Sequence, residues 1–258
     1  MSLNPNRSIY NEGYVPAQLE FAPKTPYDAR MLELRRDLLR THGAGKDVLD
    51  LCCGTGAYLV DLAGRVRSIV GMDFSRRMLD AAAARMKPLT SSGSAGFVEG
   101  DARSLPFADG SFDTVFSFTS LYYVPDVQPA IAEIARVLRP SGVAIIELGN
   151  SRSLATLINA ISHRLYGWAK SYAIPYRDIL DAISNAGLGI EQHQAFQTLP
   201  LFGPRLVQLL LPFSTSAFKY PLGVMVRGRM LDSIISGAPL LRRVAYRHLF
   251  VLRKPHHG

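Results

Sequence analysis

The sequence is poor in cysteine and tryptophan and has no long apolar run. Its 258 residues include one tryptophan and two cysteines, which are the neighbours Cys52 and Cys53. Adjacent cysteines make a poor disulfide and lack the spacing of a zinc pair, so no disulfide framework is expected. The first residues lack the apolar segment of a signal peptide, and the apolar stretch 206–213 is far shorter than the ~20 residues that span a bilayer. We therefore expect a soluble, cytoplasmic protein.

The chain is basic, with 29 lysines and arginines against 21 acidic residues and a formal net charge of +8. Such an excess favours an acidic partner, which could be nucleic acid, an anionic lipid surface or a phosphorylated metabolite. No RNA-binding module and no interleaving of aromatic and basic residues is visible, so nucleic acid is the least favoured of the three.

Strands and helices alternate through the middle of the chain. Residues 1–27 show no period and are interpreted as an irregular arm. The patterns then predict helices at 28–41, 75–85 and 127–138 and strands at 48–51, 68–73, 96–99, 114–118 and 143–148. Apolar strands that alternate with helices indicate a parallel sheet covered on both faces, which binds ligands beyond the carboxyl ends of its strands.

The C-terminal third predicts a helix at 176–186, a strand at 189–196 and a last strand at 245–253 that alternates as at a sheet edge. Between the strands lies an insertion, residues 197–244, with a helical stretch that ends near Ile235. Nine basic residues and one acid fall between positions 201 and 254. The insertion is interpreted as a cap over an apolar substrate, as a surface that rests on anionic lipid, or as a helical subdomain that buries its own apolar face.

Three acids lie in or just after successive predicted strands: Asp50, Asp73 and Asp101. Asp50 precedes a Gly54-Thr55-Gly56 turn, which either binds a ligand or only packs. Asp73, 23 positions later, could accept hydrogen bonds from both ribose hydroxyls or could cap a helix. Asp101 could accept the amine of an adenine, with Phe107 as an apolar wall, or could be a solvated loop acid. The turn lacks phosphate-binding charges, so the set favours an adenosine with a cationic amino-acid tail over NAD or ATP.

Five motifs give the chain a family resemblance. VLDLCCGTG (48–56), VGMDFSRRML (70–79), EGDARSLPF (99–107), FDTVFSFTSLYYVPD (112–126) and RVLRPSGVAIIEL (136–148) follow one another as in class I S-adenosylmethionine-dependent methyltransferases. The chain resembles the ubiquinone/menaquinone-biosynthesis group (methyltransferase type 11). The resemblance implies a Rossmann-like, doubly wound α/β fold, whose mostly parallel seven-stranded sheet has an antiparallel last strand after a helical insertion.

The resemblance also implies a set of cofactor-binding residues. Asp50, Gly54, Thr55 and Gly56 would surround the methionyl tail of S-adenosylmethionine, and Asp73 would hold the ribose. The remaining members would be Phe74 and Met78 beside the adenine, Asp101 and Ala102 at its edge, and Phe118 near the sulfonium. The same resemblance divides the chain into an arm (1–27), a cofactor-binding core (28–150) and a C-terminal part (151–258) that completes the sheet.

The acceptor is less defined. Tyr10, Tyr14, Tyr122 and Tyr123 could line its pocket or help to cover it, although packing is the favoured role for any single one. The sequence lacks the Asn/Asp-Pro-Pro-aromatic motif of enzymes that methylate nucleobase amines and the acids of metal-dependent catechol enzymes. No metal site and no general base is identified, and the oligomeric state is not defined. We expect methyl transfer to a small or lipid-like molecule; RNA methylation and a non-catalytic binding role are the alternatives.

Overall fold

A seven-stranded sheet organises the molecule. The computed structural model describes residues 4–12, 22–87, 95–199 and 221–256. The sheet strands are β1 (Asp47–Leu51), β2 (Ser68–Asp73), β3 (Ala95–Glu99), β4 (Phe112–Ser117), β5 (Leu138–Gly149), β6 (Gly189–Phe196) and β9 (Arg247–Arg253). Their order is β3-β2-β1-β4-β5-β9-β6, and all neighbours are parallel except β9, which is antiparallel to β5 and β6. The predicted fold class is confirmed.

Helices cover both faces of the sheet. They are α1 (Arg7–Glu12), α2 (Pro26–Gly43), α3 (Leu59–Leu62), α4 (Arg76–Met86), α5 (Val127–Val137), α6 (Leu154–Tyr166), α7 (Tyr176–Asn185) and α8 (Leu231–Ser236). Helices α2, α3 and α4 contribute to one buried apolar cluster, and α5 and α7 to a second one. Since the central strands bury side chains on both faces, they read as continuous apolar runs in the sequence.

Local capping residues set several helix starts. Thr25, Ser75 and Ser153 accept the backbone N–H three residues ahead at the starts of α2, α4 and α6. These bonds satisfy N–H groups that the helices themselves leave unpaired. The prediction that Ser75 begins a helix is confirmed.

Between β6 and β9 the described residues form a small antiparallel hairpin, followed by α8 and a 3₁₀ turn at Leu241–Arg243. The hairpin strands are β7 (Met225–Val226) and β8 (Arg229–Met230). Part of the predicted insertion, residues 200–220, lies outside the described residues. The insertion therefore contains a short helix, but also a hairpin that the sequence did not predict.

Several predicted boundaries and placements were wrong. The helix predicted at 127–138 ends at Val137, because Pro140 disfavours helical geometry at the residue before it, and β5 begins at once. The strand predicted at 114–118 is Phe112–Ser117, so Phe118 follows it. Strand β9 lies inside the sheet rather than at its edge, and consecutive residues from His248 to Leu252 are buried.

The arm is not wholly irregular, and one long helix was missed. Arg7–Glu12 is helical, and Asn6 ties its start to a distant loop by donating from Nδ2 to the carbonyl of Lys170 at 2.9 Å. Helix α6 was not predicted, although Ser153 caps its start and Gly167, with φ of 66°, ends it. The order of the arm thus depends on a contact far away in the chain, whereas α6 has local signals at both ends.

Candidate functional site

Two adjoining pockets open at the carboxyl edge of the sheet, with volumes of about 170 and 410 Å³. They form one cleft, because both are lined by Asn4, Cys52, Asp73, Phe74 and Val124. A volume of several hundred Å³ suits a small-molecule ligand. The cleft therefore lies where parallel sheets of this kind bind ligands.

The glycine turn after β1 shapes the cleft floor. Cys52, Gly54 and Gly56 have positive φ angles of 60°, 54° and 72°. A Cβ at Gly56 would lie 3.0 Å from the Cβ of Ala82 on α4, so glycine is needed both for the backbone conformation and for close packing. The turn brings Gly54 and Thr55 to the pocket wall.

Asp50 and Asp73 place two buried carboxylates at the cleft. Asp73 accepts hydrogen bonds from the backbone N–H of Gly54 at 3.0 Å and of Ser75 at 2.9 Å. Burial raises its pKa to about 6, although these N–H groups act in the opposite direction. Asp50 is 3% exposed, and its Oδ2 has no hydrogen-bond partner among the described residues. Burial and the charge of Asp73 raise the pKa of Asp50 well above its ordinary value.

Asp101 marks the other end of the cleft. Arg103 holds its carboxylate with Nε at 3.0 Å from Oδ1 and a terminal nitrogen at 2.6 Å from Oδ2. This pairing lowers the pKa of Asp101. A carboxylate has more lone pairs than these contacts occupy, so Asp101 can still accept a further hydrogen bond. Ala102 lines the same pocket.

A buried ion pair supports the wall of the cleft next to Phe118. Arg35 donates to both oxygens of Glu147, at 2.7 and 3.0 Å, and the backbone N–H of Thr119 donates to the same carboxylate at 3.1 Å. Burial alone would raise the pKa of Glu147, but the charges of Arg35 and Arg247 lower it. Since Thr119 has a φ of 59° and lines the pocket, this carboxylate fixes a strained loop at the site.

The structure brings most of the predicted site residues together. The predicted residues that line the cleft are Asp50, Gly54, Thr55, Asp73, Phe74, Asp101, Ala102, Phe118 and Tyr123. Gly56 supports the turn without being among the lining residues. Met78 is fully buried in the core beneath. Tyr14 lies outside the described residues.

Two predicted aromatic contacts are not found in the cleft. Tyr122 packs beside Tyr246, with ring centroids 5.5 Å apart, and its hydroxyl lies 3.4 Å from a terminal nitrogen of Arg247. Phe107 packs edge-on against Phe112 at 5.1 Å. Neither is among the residues that line the two pockets. Adjacent positions in a turn point in different directions, which explains why Tyr123 reaches the cleft and Tyr122 does not.

The arm contributes residues that the motifs could not identify as part of the cleft. Asn4, Arg7 and Tyr10 line it, and Arg7 pairs with Glu99. Tyr10 meets Phe74 edge-on, with ring centroids 5.5 Å apart. Tyr10 was expected at the site as one of several covering tyrosines; nothing in the sequence pointed to Asn4 or Arg7.

Within the described ranges, no group of three His, Cys, Asp or Glu side chains is arranged to hold a metal ion. Over the same residues, no helix is both long and apolar enough to cross a membrane.

Comparison with known proteins agrees with this geometry. Residues 49–146 match the family model of the methyltransferase domain, which agrees with the resemblance that the sequence motifs indicate. The demethylmenaquinone methyltransferase of Lactococcus lactis subsp. lactis (strain IL1403) is 42% identical over 101 residues. That match covers 38% of this chain and 40% of the relative, so the chain spans about two-fifths of that relative's length.

Solved structures extend the likeness in fold to nearly the whole chain. An S-adenosylmethionine-dependent methyltransferase from Mesorhizobium loti superposes with a TM-score of 0.60 and 18% identity, over 92% of this chain and all of that one. The [4+2]-cyclase SpnF superposes with the same TM-score and 20% identity, over 92% of this chain and 86% of its own. Two such differently named proteins share the fold, so the chemistry has to be argued from the site.

Proposed function

We propose that this protein transfers the methyl group of S-adenosylmethionine to a lipid-like acceptor of the quinone class. The observation that carries the proposal is the pair of buried carboxylates, Asp50 and Asp73, which lie in one cleft at the carboxyl ends of the neighbouring strands β1 and β2. The methyltransferase-domain match of residues 49–146 supports the cofactor. The name of the Lactococcus relative supports the acceptor class.

The cleft suits the cofactor. The unpartnered Oδ2 of Asp50 is a buried acceptor that a cationic ligand group would satisfy, since an unpaired buried carboxylate is costly. We assign Asp50, Gly54 and Thr55 to the methionyl tail, with Gly56 shaping the turn. We assign Asp73 to the ribose. Phe74, Asp101 and Ala102 form the adenine end, and Phe118 lies toward the reacting methyl.

The chemistry requires little from the protein beyond alignment. S-adenosylmethionine supplies a methyl group on a sulfonium, which is electrophilic enough for direct in-line displacement. This chain's part is to orient the acceptor and to exclude water, which can supply most of the reduction in barrier. Phe118, Tyr10 and Tyr123 give the acceptor side an aromatic wall, and α1 covers the cleft. We assign no general base.

A lipid-like acceptor agrees with the basic charge of the chain as well as with the aromatic wall. An acceptor dissolved in a membrane requires the protein to approach that membrane, so we include peripheral contact with anionic lipid in the proposal. RNA methylation rests on the basic charge alone. The division into arm, cofactor-binding core and C-terminal part belongs to the same proposal.

Transfer of a labelled methyl group tests this function. Purified protein is incubated with methyl-labelled S-adenosylmethionine and a short-chain demethylmenaquinone, oxidised or chemically reduced, and the organic phase is counted. We expect label in the quinone with wild type and with Asp80→Ala, and none with Asp73→Ala. Asp80 is a matched control because it lies exposed on α4, paired with Arg76. Cofactor binding without transfer to any quinone would contradict the acceptor class.

A further inference from the structure

Helix α6 carries an apolar stripe that the rest of the described structure leaves exposed. Leu154, Leu157, Ile161 and Leu165 follow one another at helical spacing, and their exposed fractions are 39%, 58%, 41% and 61%. The helix also buries Ala155, Ile158, Asn159 and Ser162 against the protein. The apolar surface of α6 therefore extends beyond the face that packs on the protein. A helix that only packs on a core does not need this additional exposed apolar stripe.

The surroundings of α6 are uniformly basic. From residue 148 to residue 177 the sequence contains no acid and four cations, Arg152, Arg164, Lys170 and Arg177, all of which are exposed. None of the four forms an ion pair with another described residue. Leu240, which is 76% exposed, lies three positions before Arg243, whose carbonyl accepts a hydrogen bond from Asn150 just before α6.

The chain's one tryptophan, Trp168, follows the helix directly and is half-buried, with its carbonyl accepting a hydrogen bond from His163 Nδ1. An exposed apolar stripe flanked by cations and a tryptophan is the pattern of a helix that lies in the interface of an anionic membrane. The positive charge argues against an apolar protein partner, which would gain nothing from four unpaired cations.

The surface lies at the same edge of the sheet as the cleft. Helix α6 begins after the carboxyl end of β5, and the loop that follows it binds the turn beside the cleft, where the N–H of Tyr172 donates to the carbonyl of Tyr122 at 2.7 Å. Lys170 exchanges two hydrogen bonds of 2.9 Å with Asn6 of the arm. A membrane in contact with α6 would thus lie next to the arm that covers the cleft.

We propose that the exposed face of α6, Leu154, Leu157, Ile161 and Leu165 with Arg152 and Arg164, is the surface by which this protein docks on an anionic lipid bilayer. The role of this docking rests on the proposed function, because a docked protein would present its cleft to an acceptor that is dissolved in the membrane. The proposed membrane contact therefore lies on α6, outside the insertion at residues 197–244 for which the sequence first suggested this role.

Vesicle binding of the full chain tests the assignment. The protein is mixed at low salt with vesicles of phosphatidylglycerol and phosphatidylcholine, or of phosphatidylcholine alone, and binding is followed by sedimentation and by the emission of Trp168. We expect co-sedimentation and a blue shift with the anionic vesicles only. In a Leu157→Glu/Leu165→Glu variant the partition coefficient should fall at least about tenfold, because two apolar anchors become anions near a negative surface.

Ile190→Glu is the matched control. It introduces a glutamate at a side chain that is 46% exposed near the start of β6, away from the carboxyl end of β5 where α6 begins, so it should bind vesicles like wild type. Thermal melts establish that all variants are folded. Titration with S-adenosylmethionine separates the two proposals, because the α6 variant should bind the cofactor like wild type whatever it does to vesicles.

Three results would overturn the assignment: no binding of wild type to anionic vesicles, equal binding by the α6 variant, or a loss of binding shared with Ile190→Glu. If light scattering showed that the α6 variant dissociates an oligomer while vesicle binding is unchanged, the face would be a contact between copies of this chain. Vesicle binding by a protein that binds no cofactor would leave the docking surface in place and refute the proposed function.

Discussion

Lowering the pH from 7 to 5 should weaken the binding of S-adenosylmethionine. The carboxylate of Asp73 must be ionised to accept two hydroxyl hydrogen bonds, and burial raises its pKa to about 6 in the free protein. The proton therefore competes with the ligand in the acidic range. Asp50, whose pKa is also raised, adds to the effect because a cationic tail binds the ionised form.

The size of the effect follows from the pKa of Asp73. A carboxyl with a pKa of about 6 is roughly 90% ionised at pH 7 and roughly 10% ionised at pH 5, so the affinity should fall about tenfold from this group alone. Isothermal titration calorimetry across this range gives the affinities. Titration at pH 6 in two buffers of different ionisation enthalpy counts the protons, and we expect net release on binding.

The Asp73→Asn variant provides the control for this pH dependence. It removes the titrating group while keeping a side chain of the same size, so its weaker binding should depend less on pH than that of wild type. Affinity of wild type that stays constant from pH 7 to pH 5, with no proton release, would refute the assignment of buried carboxylates to the ligand.

Three further predictions concern stability, measured by chemical denaturation. Gly56→Ala should cost about 1–2 kcal/mol for the positive φ angle, and more because its Cβ would approach that of Ala82 to 3.0 Å. Glu147→Gln should cost about 3–5 kcal/mol, since it leaves buried guanidinium groups without their carboxylate. Arg76→Met, which breaks an exposed pair with Asp80, should cost less than about 1 kcal/mol, and equal losses in the two variants would contradict this difference. Burial lowers the pKa of His248 to about 3, so the unfolded chain takes up its proton first. This group alone should therefore lower stability by about 1.4 kcal/mol per pH unit as the pH drops below about 6.5, and a His248→Gln variant with the same slope as wild type would disprove this origin.

The sequence was sufficient to predict the parts of the site that follow strand ends. Asp50, Asp73 and Asp101 each lie in or just after a parallel strand, and the carboxyl ends of parallel strands meet at one edge of the sheet. Their convergence therefore depended only on recognising the strands. Gly54 and Thr55 followed from the turn that connects the first strand to its helix.

Long-range contacts set the limit of prediction. Arg35 and Glu147 are 112 positions apart, and the available signal was an acid inside the otherwise apolar run of β5. Asn6 and Lys170 are 164 positions apart, and nothing local suggests that they meet. Helix α6 had local signals at both ends, but several of its apolar residues form a stripe beside the buried face, which obscures a single-faced pattern.

The most direct test of the proposed cofactor site is calorimetric titration of S-adenosylmethionine and its demethylated product into wild type, Asp73→Ala and Asp80→Ala at neutral pH. We expect both ligands to bind wild type and Asp80→Ala, and to bind Asp73→Ala about a hundredfold more weakly, because two hydrogen bonds to a charged acceptor are lost. Equal affinity of Asp73→Ala and wild type, or no binding to any of the three proteins, would contradict it.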